Sequence, residues 1–200
     1  MTTSEVNGRR GDANRVAAGI ARAARWRLLA VLLERPRPGW NEEIERLAAE
    51  IDDPALRAAA SAARGASEGE YHGLLGPGAP LSPREASAIG VGDPGWMLSE
   101  LERFYEAFGY APRAEDPPDH VAVEAGFVGF LELKESLAWA SEDAEAARTV
   151  AAARESFVAA HVEPLIARLE SVGEIAPESH VALAIDVLRA QLSARDRTGA

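Results

Sequence analysis

The chain has 200 residues, of which 47% are hydrophobic and 26% charged, and its formal net charge is −11. These values are typical of a globular protein with one sizeable core, whose acidic surface repels nucleic acid. No residue is cysteine, which excludes disulfides and cysteine nucleophiles, and no apolar run is long enough to span a membrane.

The chain begins with a polar segment that contains the pair Arg9-Arg10. An export signal would need an uncharged apolar stretch after such a pair. Gly11-Asp12 follows instead, and further arginines as far as Arg27 interrupt every candidate stretch. We therefore expect residues 1–13 to form a disordered tail, and the protein to stay in the cytoplasm without inserting into a membrane.

Apolar residues recur at helical spacing through the first half of the chain, and Pro, Gly, Asn and Asp mark the helix ends. Residues 76–95 contain five Gly and four Pro, too many for a regular element, so they predict a long loop. The predicted helices of this half cover about residues 14–34, 41–51, 54–65, 68–75 and 96–108.

A connector at about residues 110–118 separates this helical group from two long helices. The remaining predicted helices cover about residues 118–141, 143–172 and 177–194, and Pro164 is expected to kink the second. No segment shows the alternation of a strand. We predict an all-α fold over residues 14–196, a single bundle of about eight helices with a hinge at the connector. The hinge allows a monomer or a domain-swapped dimer.

Charge is unevenly distributed along the chain. Residues 1–37 hold eight arginines against three acids, whereas residues 99–145 hold twelve acids against three basic residues. The acidic segment would attract a basic peptide and steer it over a long range. The alternative, that the charge serves only solubility, stays open.

The segment from Glu115 to Glu124 begins the first long helix of the second half. Asp116 can serve as the N-cap, Pro117 fits the first helical position, and Asp119 lies where a carboxylate can bond back to the cap. Capping leaves the last two polar residues, His120 and Glu124, unexplained.

At helical spacing, His120 and Glu124 share one narrow arc with Phe127 and Leu131, so both are expected to point inward. Inward charges need partners, because an unpaired buried charge is costly. Two interpretations remain: a His–Glu pair that pins the helix to its neighbour, or the polar floor of a binding groove.

The pattern Glu-x-Pro-x-Asp-His, followed four residues later by Glu, resembles the signature of the NarJ-related TorD/DmsD-type chaperones. It stands here as Glu115, Pro117 (or Pro118), Asp119, His120 and Glu124, followed by Phe127 and Leu131. Three further segments resemble elements of the same family in the same order: Tyr71 to Pro77, Leu81 to Ser87, and Phe157 to Leu165.

The resemblance implies a cytoplasmic chaperone that is not itself an enzyme and has no cofactor or metal of its own. Its partner would be a molybdopterin-containing oxidoreductase, whose twin-arginine signal peptide or apoenzyme it would hold until the cofactor is inserted. The residues expected to form the client-binding site are Asp119, His120, Glu124, Glu115, Asp116, Tyr71 and Tyr110.

Two other classes of function remain open. A small metal-dependent hydrolase could use His120, Glu124 and His161, although no second Glu-x-x-His completes a di-iron bundle. A plain helical scaffold or regulatory protein would carry the acidic segment only as a solvated face. No phosphate-binding Gly-Lys loop or nucleophile elbow is present in the sequence.

Overall fold

A computed structural model describes residues 3–90, 92–112, 116–171 and 176–196. These residues form helices and no strand, which confirms the predicted all-α fold. The helices are α1 (Thr3–Leu33), α2 (Trp40–Ala49), α3 (Pro54–Ala63), α4 (Glu68–Leu75), α5 (Glu85–Ile89), α6 (Pro94–Phe108), α7 (Val121–Ala140), α8 (Ala144–Phe157), α9 (Glu163–Ser171) and α10 (His180–Asp196). None of the helices in these ranges combines the length and the hydropathy that a membrane span requires.

Side-chain caps set the start of several helices where the sequence predicted them. The Asp53 carboxylate accepts hydrogen bonds from the N–H groups of Ala55 (2.9 Å) and Leu56 (3.2 Å), and Pro54 occupies the first position of α3. Ser67 and Glu70 cap each other reciprocally at the start of α4. These helix starts are local properties of the sequence.

Two stretches differ from the prediction. Helix α1 extends back to Thr3, into the expected tail, because adding residues to an existing helix needs no new nucleus. Helix α5 lies inside the expected loop. It is only five residues long and is held by tertiary bonds, such as the one from Arg168 Nε to the Ala88 carbonyl (3.1 Å).

Helices α1 and α7 cross closely and run antiparallel. A Cβ atom at Gly129 would lie 3.0 Å from Trp26 Cβ, and one at Gly19 would overlap the Ser136 hydroxyl. Glycine therefore lets the two backbones approach at both points.

Helix α8 packs on α7 through a buried ion pair. The Arg154 guanidinium contacts the carboxylates of Glu132 and Glu135, and Arg22 of α1 also donates to Glu132 (2.9 Å). Part of the acidic segment is therefore neutralised inside the protein rather than presented to solvent.

The predicted helix over residues 143–172 is present as α8 and α9, joined by a π-helical turn, Val158–Val162. Pro164 has no N–H to give to the carbonyl four residues before it, and the helix widens just ahead of it. Within the turn, the Glu163 N–H bonds the Val158 carbonyl, five residues back. The irregularity expected at Pro164 thus takes the form of a π turn.

Candidate functional site

Two distant segments pair at the starts of α5 and α7. The Glu85 N–H donates to the Asp119 carbonyl (2.8 Å), and the Val121 N–H donates to the Pro83 carbonyl (2.8 Å). Arg84 and His120 face each other across this short antiparallel bridge. The bridge fixes α5 and its preceding loop to the first turn of α7.

The side chain of Asp119 stabilises this bridge. It is fully buried. Arg84 Nε donates to one carboxylate oxygen (2.9 Å), and Arg84 Nη2 lies 2.9 Å from the same oxygen. The Ala86 N–H bonds the other oxygen (3.3 Å). A buried carboxylate with a guanidinium and a backbone N–H keeps its charge satisfied.

Helix α7 begins later than the sequence predicted. His120 is its N-cap, and His120 Nδ1 accepts a hydrogen bond from the Ala122 N–H (3.1 Å). The predicted cap at Asp116, with Pro117 and Asp119 in the first turn, is therefore wrong. The ring of Pro118 disfavours helical geometry at the residue before it, and Asp119 is used by the bridge instead.

The second nitrogen of His120, Nε2, lies 3.0 Å from the Tyr71 hydroxyl. Because Nδ1 accepts, Nε2 carries the proton and donates to the Tyr71 oxygen. Burial lowers the pKa of His120 in spite of the nearby charges of Asp116 and Asp119, so the ring is neutral at pH 7. Burial also raises the pKa of Tyr71.

Glu124 is fully buried one turn further along α7, and it does not pair with His120. Its neighbour is the carboxyl group of Glu85, and neither Glu124 oxygen has a donor among the described residues unless one of the two carboxyls is protonated. Burial, and then the charges of Glu85 and Asp119, raise the pKa of Glu124 well above its ordinary value of 4.5. A protonated Glu124 can donate to Glu85, which resolves the conflict.

His161, which lies in the π turn, contacts the carboxyl group of Glu85 as well. Its Nδ1 atom lies 3.1 Å from one oxygen of Glu85 and 3.3 Å from the other. Its ring also packs on Phe157, with 4.9 Å between centroids. The π turn between α8 and α9 therefore brings a histidine to a carboxyl of α5.

These contacts join into one group, the buried polar cluster, which consists of Tyr71, Arg84, Glu85, Asp119, His120, Glu124 and His161. All of these residues are buried except Arg84, which is half-buried. Arg84 and Glu85 were missed as site residues. Their only sequence signal was the Leu81 to Ser87 segment, which resembled a family element without suggesting a role for either residue.

The other expected site residues lie at the edge of the cluster or outside the described residues. Asp116 is half-buried beside His120 and Tyr71. Tyr110 is half-buried and packs on Phe127 and Phe130, each with 5.3 Å between ring centroids. Glu115 lies outside the described residues.

The cluster is better suited to holding segments together than to catalysis. Both ring nitrogens of His120 are engaged, so this geometry does not support the hydrolase set His120, Glu124 and His161. Among the described residues, no three acids or histidines are placed to hold a metal ion.

The chain matches the family model described as nitrate reductase delta subunit over residues 35–170, a range that includes every residue of the buried polar cluster. It therefore belongs to this family, whose members are NarJ/TorD-type chaperones for the maturation of molybdoenzymes. No curated protein matches the chain.

Proposed function

We propose that this member of the nitrate reductase delta subunit family is a cytoplasmic chaperone for a molybdopterin-containing oxidoreductase. It binds the client's twin-arginine signal peptide, the apoenzyme, or both, until the cofactor is inserted. The observation that carries the proposal is the convergence of Tyr71, Glu85, Asp119 and His161 on one cluster, because each comes from a different segment that resembles the family.

The buried and the accessible residues have different roles in this proposal. Asp119, His120, Glu124 and Tyr71 are positioning residues, because they are buried and hold the starts of α5 and α7 together. Asp116 and Tyr110 lie partly in solvent, so they are the members of the expected site that a client can touch.

The chemistry of the client fits an acidic receptor. A twin-arginine signal places basic residues before an apolar stretch, so its receptor needs carboxylates beside apolar surface. Helix α6 presents Glu102 and Glu106 to solvent, and Tyr110 follows two residues after its end. Exposed carboxylates set the association rate and its salt dependence more than the affinity.

Calorimetry with a synthetic signal peptide tests this function. The peptide is the N-terminal segment of a molybdoenzyme catalytic subunit encoded in the same genome, and a Kd on the order of 1 μM is expected. Asp116→Asn should weaken binding about threefold to tenfold without lowering the melting temperature, because it removes one accessible charge.

The matched control is Asp52→Asn, which removes a fully accessible carboxylate between α2 and α3 and should leave Kd unchanged. A wild-type protein that binds neither the peptide nor the apoenzyme would contradict the chaperone function and favour the scaffold alternative.

A further inference from the structure

The long helix α7 is buried along most of its length but exposes two large apolar side chains. Leu133 is 39% exposed and Leu137 is 55% exposed, and they lie one helical turn apart. On α1, Ile20 is 47% exposed. Three large aliphatic side chains on two adjoining helices form more apolar surface than scattered single residues would.

The three side chains lie on the same side of the α1–α7 pair. Ile20 follows Gly19, which packs against Ser136, and Leu137 follows Ser136. Leu133 likewise follows Glu132, which bonds Arg22 of α1. In an antiparallel pair of right-handed helices, the position after a contact residue points to the same side on both helices. We call this surface, made of Ile20, Leu133 and Leu137, the α1–α7 seam.

The seam ends at an acidic turn. Helix α7 stops at Ala140, and Glu142, Asp143 and Glu145 are exposed at the connection to α8. Asp143 also caps α8 by accepting from the Ala146 N–H (2.9 Å). Among the described residues, neither Glu142 nor Glu145 forms an ion pair.

The other end of the seam reaches the expected client site. Phe130 lies one turn before Leu133 on α7 and is partly exposed, and its ring packs on Tyr110. The apolar surface therefore runs from Tyr110 along α7 to the acidic turn.

We propose that the α1–α7 seam receives the apolar stretch of a client's N-terminal peptide, and that the acidic turn pairs with the basic residues that precede that stretch. Leu137 lies about 4.5 Å before the end of α7 at Ala140, at a helical rise of about 1.5 Å per residue, and Glu142 follows in the turn. The arginines of a helical client peptide therefore lie about one turn or more before its first seated apolar residue.

A second copy of this chain is a poorer occupant. A stable dimer usually buries about 1,200 Å² or more, far beyond what three partly exposed side chains supply. Two basic side chains of α1 near the seam are also engaged, since Arg22 pairs with Glu132 and Arg15 lies over the Trp139 ring at 4.2 Å. Charge complementarity therefore favours a basic and apolar peptide.

The inference rests on the proposed function and is tested with full-length protein and a fluorescein-labelled signal peptide of the same molybdoenzyme subunit. The double variant Leu133→Ser/Leu137→Ser should raise Kd about tenfold or more in fluorescence anisotropy, because two leucines lose their burial on binding. Ile89→Ser is the matched control, since Ile89 is 45% exposed elsewhere, and it should bind as the wild type does.

The charge of the acidic turn is tested separately. Glu142→Gln/Glu145→Gln should flatten the salt dependence of binding, whereas Glu155→Gln, an exposed acid on α8, should not. An unchanged salt dependence in the first variant would overturn the pairing with the acidic turn.

The outcomes separate the two proposals. If the wild type, the double variant and the Ile89→Ser control bind the peptide with the same Kd, the seam is not the peptide-binding site. The proposed chaperone function is not affected by that result. A wild type that binds neither peptide nor apoenzyme overturns both. If light scattering instead shows a concentration-dependent dimer that the double variant does not form, although it still binds the peptide, the seam is a contact between copies of this chain. That result also overturns the inference.

Discussion

Glu124→Gln is expected to stabilise the folded protein at pH 8 by about 1–3 kcal/mol, because a neutral amide removes the need to keep a buried carboxyl protonated. The folded-state pKa of Glu124 is raised above its ordinary value of 4.5, so the stability that its proton contributes is complete below about pH 4.5. That stability is lost as the pH rises through the folded-state pKa.

Urea unfolding at pH 5 and pH 8 measures this effect. The gain from Glu124→Gln should be larger at pH 8 than at pH 5, and Glu155→Gln, which changes an exposed carboxylate on α8, should show no such difference. A Glu124→Gln variant destabilised equally at both pH values would show that the two carboxyls share no proton.

His161→Ala is expected to cost about 3–5 kcal/mol of unfolding free energy, because it removes the buried partner of Glu85 and leaves a cavity beside Phe157. The surface histidine His72, which is near Glu68, serves as the control, and His72→Ala should cost less than about 1 kcal/mol.

A double-mutant cycle separates the free energy of the Glu85–His161 contact from the cost of the cavity. In a Glu85→Gln background, the cost of His161→Ala should fall by at least about 1 kcal/mol, because the charged partner is already gone. An identical cost in both backgrounds would mean that packing alone explains the loss, and that the Glu85–His161 contact contributes little.

Much of the fold could be predicted from the sequence, because its signals are local. Asp53-Pro54 marks the start of α3, and Pro164 marks the irregularity between α8 and α9. The inward position of His120 and Glu124 followed from helical spacing, and both are buried. The family followed from a few short segments, and the match over residues 35–170 confirms it.

The partners within the site could not be predicted, because they come from distant parts of the chain. His120 bonds Tyr71, 49 residues away, rather than Glu124. Glu85 bonds His161, 76 residues away. The start of α7 was misplaced for the same reason, since Asp116 and Pro117 form an adequate local cap and only the bridge to residues 83–86 moves the helix start to Val121.

The burial of the cluster also changes the role of the residues that were expected to form the client-binding site. Residues that were expected to touch the client lie inside the protein, where they tie α4, α5, α7 and the π turn together. A substitution at Asp119 therefore alters the shape of the surface above it. Stability and client binding must be measured together for any variant of these residues.

The chaperone function is tested most directly by the cofactor content of the client. A molybdoenzyme catalytic subunit from the same genome is purified from cells with and without this protein, and its bound molybdenum is measured. We expect the client to have low molybdenum occupancy without the protein. The wild-type protein should restore full occupancy, and the His161→Ala variant should not. Full occupancy and full enzyme activity in the absence of this protein would contradict the proposed function.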